Sequence, residues 1–352
     1  MGTVRDVVIT RRTGFCYGVR EAIDYARTAA AAGKQTHTLG QVVHNEGVIE
    51  QLAAQGIRTV ESLDQVDTGA AVVIRAHGVT PEVMGRAERR GLEVIDGTCT
   101  WVIQEQRALT ELVDQGYTIV LLGTPRHPEV VGLLGFAPGA IVVDEEGDWE
   151  RVPRTKRLAL ISQSTQPPWK FERLAAFMVG RCHELKIVNT ICPVTIQRQQ
   201  DTLEAAGSVD LMVVVGGRSS ANTKELTRLC RMAGTPALQI ESSADLDGAG
   251  EFGEAQVVGV TGGTSTPIED LVAVAERIYA VAGRPELQAR ARELAQASLG
   301  RVAGSTYRSS SIPPAGAPAQ EAGPGPAHAT PRRDPATRRA SVPASAGAPR
   351  RH

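Results

Sequence analysis

Glu93-Val-Ile-Asp-Gly-Thr-Cys99, then a helical stretch, then Thr118-Ile-Val-Leu-Leu-Gly123-Thr-Pro-Arg-His127-Pro-Glu129: these residues decide how the chain folds. A short apolar run leads into a cysteine, and a second apolar run is closed by a glycine, with a histidine and a glutamate just beyond. From Cys99 the glycine falls at +24, the histidine at +28 and the glutamate at +30. The same offsets from Cys16 reach Gly40, His44 and Glu46, and from Cys192 they reach Gly216, Ser220 and Asn222. Each glycine ends a strand-like run (36–39, 118–122, 211–215), and each cysteine follows one (7–10, 93–95, 186–189). Repetition at fixed offsets predicts three copies of one strand-loop-helix-strand-loop plan.

Outward from that repeat, further apolar runs at 72–74, 158–161 and 257–260 alternate with stretches of helical spacing such as 19–32 and 270–282. Alternation of this kind predicts an α/β protein whose parallel sheets are covered on both faces. In such units the loops after strand C-terminal ends gather ligand groups at one edge of the sheet. Three edges facing one axis would bring Cys16, Cys99 and Cys192 together, with the +28 side chains around them. The expected organisation is a strand and loop at 1–16 joining the third unit, α/β units at 17–98, 99–188 and 189–284, and a terminal helix at 285–299. A tail at 300–352, rich in Pro, Ala, Gly, Ser and Arg, lacks the apolar area to offset its ordering entropy and is expected to be disordered.

Composition narrows the classes of function. Lysine plus arginine (38) nearly cancels aspartate plus glutamate (39), so no overall field recruits nucleic acid or an anionic membrane. Neither a signal-peptide apolar region nor a run long enough to span a membrane is visible, so a soluble, cytoplasmic protein is expected. Five widely spaced cysteines without a CxxC pair argue against a disulfide framework or a local zinc finger. If the thiols bind metal, the fold must assemble them.

Three thiolates can hold three irons of a [4Fe-4S] cluster and leave the fourth iron open to a substrate oxygen. A lone buried cysteine is more often a small hydrophobe. That plainer reading is kept for Cys182 and Cys230, which have no repeat partners. His44 and His127 follow strand-closing glycines and His77 ends another strand; each could be a capping or core imidazole, but together they suggest a polar pocket for phosphate oxygens. Ser220, Asn222, the Ser164-Thr165 pair and Ser265 stand at strand-to-helix junctions, where hydroxyls, an amide and helix N–H groups can bind an anion or simply cap a helix. Glu129 is placed either to deliver a proton or to complement a helix dipole.

At these residues the chain resembles the 4-hydroxy-3-methylbut-2-enyl diphosphate reductase family over roughly 5–283. The segments that carry the resemblance are Gly14-Phe-Cys-Tyr-Gly-Val, Val42-Val-His-Asn, Ala76-His-Gly-Val, Asp96-Gly-Thr-Cys, His127-Pro-Glu-Val, Ser162-Gln-Ser-Thr, Asn189-Thr-Ile-Cys, Ser220-Ala-Asn-Thr and Gly259-Val-Thr-Gly-Gly-Thr-Ser. The resemblance implies a three-unit trefoil around a [4Fe-4S] cluster on Cys16, Cys99 and Cys192. It implies diphosphate contacts from His44, His77, His127, Ser220, Ala221, Asn222 and Ser265, a hydroxyl from Ser164 or Thr165, and proton delivery through Glu129 with Ser164 and His127 beside it. The implied reaction is reductive removal of an allylic hydroxyl to give isopentenyl and dimethylallyl diphosphates, with electrons from a donor such as ferredoxin or flavodoxin. Tyr17, Thr100, Pro193-Val194, Ser164 and Ala221 depart from the family's common residues. The repeat geometry alone also fits a non-redox [4Fe-4S] dehydratase or condensing enzyme of the quinolinate-synthase type. The unusual neighbours of the cysteines leave open a non-catalytic redox- or metal-sensing paralogue.

Overall fold

A computed structural model describes residues 4–246 and 252–303. Its strands are β1 (Asp6–Ile9), β2 (Thr36–Leu39), β3 (Ile57–Val60), β4 (Ala71–Ile74), β5 (Glu93–Asp96), β6 (Thr118–Leu122), β7 (Ile141–Val143), β8 (Thr155–Ser162), β9 (Cys182–Ile187), β10 (Leu211–Val215), β11 (Ala237–Ile240) and β12 (Val257–Gly262). They form three four-stranded sheets, ordered β3-β2-β4-β5, β7-β6-β8-β9 and β11-β10-β12-β1. The pairings are parallel in each. All three sheets share one plan, because the first strand of the chain pairs with β12 and takes the place that β5 and β9 hold in the other two.

The helices are α1 (Tyr17–Ala31), α2 (Glu46–Ala54), α3 (Pro81–Arg89), α4 (Thr100–Asp114), α5 (Pro128–Leu134), α6 (Pro168–Val179), α7 (Pro193–Ala206), α8 (Ala221–Met232), α9 (Ile268–Val281) and α10 (Gln288–Ala303). Burial on both faces explains the continuous apolar strands: every residue of β4 and of β10 is buried. Strand-closing glycines follow β2, β6 and β10, and their N–H groups donate to the last carbonyls of β3, β7 and β11: Gly40 to Val60 (2.7 Å), Gly123 to Val143 and Gly216 to Ile240 (both 2.9 Å). At Gly216 a side chain is doubly excluded, since φ is +147° and a Cβ would stand 2.6 Å from Thr223 Oγ1.

Several expected boundaries move. The run before Cys192 was placed at 186–189, but β9 ends at Ile187, and the Asn189 side chain accepts from the Ile191 N–H in a turn leading to the cysteine. Edge strands β3, β7 and β11 were not anticipated. The terminal helix begins with a 3-10 turn at Pro285–Leu287 and runs to Ala303 rather than 299. It is held by Ala291 and Ala295 in the core of the last sheet and by Ser298, whose hydroxyl donates to the Thr10 carbonyl. What remains of the expected tail lies outside the described residues. No helix among the described residues is long and apolar enough to cross a membrane.

Candidate active site

Cys16, Cys99 and Cys192 are the N-cap residues of α1, α4 and α7. Each backbone N–H donates to a carbonyl in the turn after a central strand: Cys16 to Thr264 (3.1 Å), Cys99 to Ala76 (3.0 Å) and Cys192 to Ser164 (2.9 Å). Those three turns are alike, closed by Gly78 N–H to Arg75, Gln166 N–H to Gln163 and Thr266 N–H to Gly263. The next residue in each is His77, Thr165 or Ser265. The repeat thus holds a second tier that the +28 offset does not reveal, and it ties each cysteine backbone one residue away from a candidate binding side chain.

The three thiols lie near enough to act on one another electrostatically. Burial pushes the Cys99 thiol up to about 11, with charge on Cys16 adding to it. Cys192 rises to about 12 through burial, and charge on Cys16 and on Cys99 adds further. Cys16 is also raised by burial. A Cβ on Gly18, in the first turn of α1, would stand 2.7 Å from Cys99 Sγ, so the helix begun by one cysteine abuts the sulfur of another. Opposing these costs, the N–H groups of Gly18 and Val19, of Trp101 and Val102, and of Val194 and Thr195 favour the anionic form of the cysteine that starts their helix. Beneath lies Arg198, fully buried, donating to the carbonyls of Gly262, Gly263 and Gly14 at 2.7–2.8 Å. Burial lowers its guanidinium to about 10, against the pull of Cys16, Asp201 and Cys192. A fixed cation and three sets of helix N–H groups around converging thiols suit an anionic metal centre.

Spacing discriminates between kinds of centre. One tetrahedral zinc with sulfurs at about 2.3 Å would hold them roughly 3.8 Å apart. Among the described residues, the only three metal-type ligands with atoms within 4.8 Å of one another are His44, His77 and His127. At least one pair of the cysteine sulfurs therefore lies more than 4.8 Å apart, wider than one tetrahedral zinc would hold them. Cys182 and Cys230, by contrast, pack into separate apolar clusters, as small hydrophobes do.

Next to the thiols, the rings of His44, His77 and His127 lie with centroids 5.6, 6.3 and 5.2 Å apart. Burial and the nearby positive charge of Arg75 lower all three; His77 falls well below the ordinary histidine range and His127 to about 4. They are neutral at physiological pH. Both nitrogens of His44, Nδ1 of His77 and both amide atoms of the buried Asn222 have no hydrogen-bond partner in the protein. Buried polar atoms are seldom left so, and here they frame a place for a polar ligand. The adjacent guanidinium makes an anion the fitting one.

His127 also caps α5, its Nδ1 accepting from the Glu129 N–H (3.2 Å), so the capping and binding readings both apply. Ser220 caps α8, accepting from the Thr223 N–H. The third repeat touches the first, because a Cβ on Gly217 would stand 2.4 Å from the His44 carbonyl; a Cβ on Gly263 would stand 3.6 Å from Asn222 Nδ2. Ser265 is buried in the same turn. Ala221 has no polar side-chain atom and offers only backbone. A cavity of about 580 Å³ opens onto His44, His127, Thr165 and Ala221, with Lys224 and Arg228 on its wall.

Glu129 is 2% exposed. Its carboxylate accepts from the Ser164 N–H (2.6 Å) and from the Ser164 hydroxyl (2.8 Å). Burial raises its pKa while those two donors pull it back. A carboxyl so poised, beside a hydroxyl that can pass a proton, is suited to relaying protons in general acid–base catalysis. Sequence reasoning missed three neighbours: Arg75, Arg198 and Glu105. Glu105 could have been found, because it sits on the buried stripe Trp101, Val102, Glu105, Leu109 and Leu112 of α4.

The neutral histidines make stability pH-dependent. With a native pKa near 4 against 6.5 unfolded, the unfolded chain binds more protons at His127 between those values, so stability is present above about pH 6.5 and is lost as pH falls toward 4. The loss is at most about 3 kcal/mol. Raised carboxyls work in the opposite sense, so the check is a difference: urea midpoints of His127→Asn, which keeps a capping side chain, fall less than those of the parent between pH 7 and 4.5. Equal slopes would defeat this assignment.

The model of the LytB protein family matches residues 7–279. A relative from Geobacter sp. (strain M21), called 4-hydroxy-3-methylbut-2-enyl diphosphate reductase, is 38% identical over 276 residues, covering 78% of this chain and 97% of that protein. One of the same name from Anaeromyxobacter sp. (strain K) is 38% identical over 263 residues, covering 74% and 94%. Two solved structures share the fold. One, of (E)-4-hydroxy-3-methyl-but-2-enyl diphosphate reductase, the terminal enzyme of the non-mevalonate pathway, has a TM-score of 0.60 at 31% identity and covers 80% of this chain and 100% of its own. The other, of the Plasmodium falciparum E-1-hydroxy-2-methyl-but-2-enyl-4-diphosphate reductase, has a TM-score of 0.72 at 25% identity, covering 76% and 86%.

Proposed function

Because the chain belongs to the LytB protein family, we propose that it reduces (E)-4-hydroxy-3-methylbut-2-enyl diphosphate to isopentenyl and dimethylallyl diphosphates. The observation that carries this reading is the coupling of two groups of side chains: the turns that bond the cysteine backbones are the turns that present His77, Thr165 and Ser265. A redox centre and an anion pocket built on the same three turns suit a substrate that is both reduced and a diphosphate.

The converging thiols of Cys16, Cys99 and Cys192, with Arg198 beneath them, fit a [4Fe-4S] cluster. When bound, such a cluster supplies electrons singly and an iron without a protein ligand that can take a substrate oxygen. The protein's part is binding and proton handling. His44, His77, His127, Ser220, Asn222 and Ser265 offer neutral hydrogen-bond groups for the diphosphate, while Arg75 provides charge behind the rings. Thr165 stands between, its hydroxyl accepting from Gln163 Nε2 (2.9 Å). Glu129 relays protons through its carboxyl, and Ser164, whose N–H and hydroxyl donate to it, connects that carboxyl to the substrate side. Removal of the allylic hydroxyl as water consumes two electrons and two protons, and placing the second proton at either end of the allyl system gives the two products. Electrons come from a cytoplasmic carrier of the ferredoxin or flavodoxin kind.

The repeat of cysteines alone would also fit a quinolinate-synthase-type dehydratase or a sensor paralogue. The similarity to reductases across more than 70% of the chain, and the buried Glu129–Ser164 pair, favour the reductase. The test is anaerobic: reconstitute the cluster, supply dithionite with a mediator, and assay the hydroxymethylbutenyl diphosphate. Both isoprenoid diphosphates are expected. An intact cluster without turnover would overturn the proposal.

A further inference from the structure

Glu105 lies on α4, six positions after Cys99, and is fully buried (0% exposed). No N–H or O–H donor of the protein reaches either of its carboxyl oxygens. What its carboxyl meets is the carboxyl of Glu129 on α5, within hydrogen-bonding reach. Two buried carboxylates in contact, with no cation at Glu105, are not a stable arrangement, and one proton between them removes the repulsion. Glu129 accepts from the Ser164 N–H and hydroxyl, which suit a carboxylate; Glu105 has no such donors. The proton of the pair therefore belongs to Glu105.

We propose that Glu105 is a positioning residue for Glu129: a neutral carboxylic acid that donates a hydrogen bond to it in addition to the two from Ser164, fixing the carboxyl in place. The pair divides its work by surroundings, one member supplied with donors and one supplied with none. Burial, with the charge of Glu129 added, holds the Glu105 carboxyl well above the ordinary carboxylate range, in keeping with that division. Without the bond, the Glu129 side chain keeps both contacts to Ser164 but loses its third restraint. The expected consequence falls on the reaction step and not on diphosphate binding, which uses other residues. This rests on the reductase reading.

The test compares the cluster-loaded parent chain with Glu105→Gln, which still donates, and Glu105→Leu, which fills the space without donating. At neutral pH the infrared spectrum of the parent should contain a neutral carboxylic-acid carbonyl band that both variants lack, whatever their activity. In turnover, Glu105→Leu should lose roughly tenfold or more in kcat with KM held within about twofold, and Glu105→Gln should retain kcat within about threefold of the parent. Unchanged cluster absorption and circular dichroism would show that both variants fold. The proposal is overturned if the leucine variant turns over like the parent, if glutamine falls as far as leucine, if KM rises in step with the loss, or if the band is missing from the parent. A parent that binds its cluster but does not turn over substrate would instead defeat the reductase reading, and the two failures are distinguishable.

Discussion

Glu129→Gln is expected to lower kcat by roughly two to four orders of magnitude while KM for the diphosphate stays within about threefold. The substitution is nearly isosteric, and the amide oxygen can still accept from the Ser164 N–H while the amide nitrogen donates to the Ser164 hydroxyl, so both bonds at 2.6 and 2.8 Å have replacements. What disappears is a carboxyl able to take up a proton and pass it on. The diphosphate groups, gathered on His44, His77, His127, Ser220, Asn222 and Ser265, are untouched, which is why binding should survive. Single-turnover assays under anaerobic conditions would separate the two quantities. A variant with parental kcat would remove Glu129 from the reaction, and one whose loss lay wholly in KM would make it a binding residue.

How far such a site can be read from a sequence depends on what each residue does for the backbone. The strand-closing glycines were legible because a side chain is crowded out at each, where a Cβ would stand 2.3 Å from Arg75 at Gly40, 2.7 Å from Val130 at Gly123 and 2.6 Å from Thr223 at Gly216, and a constraint repeated in three units leaves a repeated letter. The cysteines were legible for the same reason: each starts a helix at the same point of the plan. The edge strands were not. Ile57-Arg-Thr-Val in β3 has an exposed and a half-exposed residue between two buried ends, too short a pattern to announce a strand. In β9 the charged residues of an exposed edge hid the element and displaced it by several positions.

Glu105 and Arg198 escaped for a different reason. A charged residue within Gln104-Glu105-Gln106-Arg107 reads as a solvated helix face, and Arg198 within a polar helix reads likewise, yet both are buried. Only the counter-rotation of the apolar stripe, Trp101 and Val102 to Leu109 and Leu112, says that Glu105 points inward. The second tier of the repeat, His77, Thr165 and Ser265, escaped because its three members differ in chemistry and stand at unequal distances from their cysteines. The equivalence becomes visible in the hydrogen bonds of three similar turns and not in the letters.

Replacing Cys99 with serine should cost bound iron and reduce turnover by more than roughly a hundredfold, the largest effect of any single thiol change along with its two repeat mates. Serine keeps the N-cap geometry, and would cap α4 better than cysteine does, so the helix should remain. The loss is then specific to sulfur: an alkoxide is far less accessible than a thiolate even where helix N–H groups and Arg198 favour an anion. Cys182→Ser and Cys230→Ser supply the contrast, because those thiols sit in apolar clusters away from the other three, and iron content should remain at the parental level in both. Iron and sulfide analysis of anaerobically reconstituted protein, read beside the visible absorption of the cluster, decides the matter without any assay of activity. If Cys99→Ser bound a full complement of iron, the convergence of the three thiols would have some other purpose. If Cys182→Ser lost it, the ligand set would have to be drawn again.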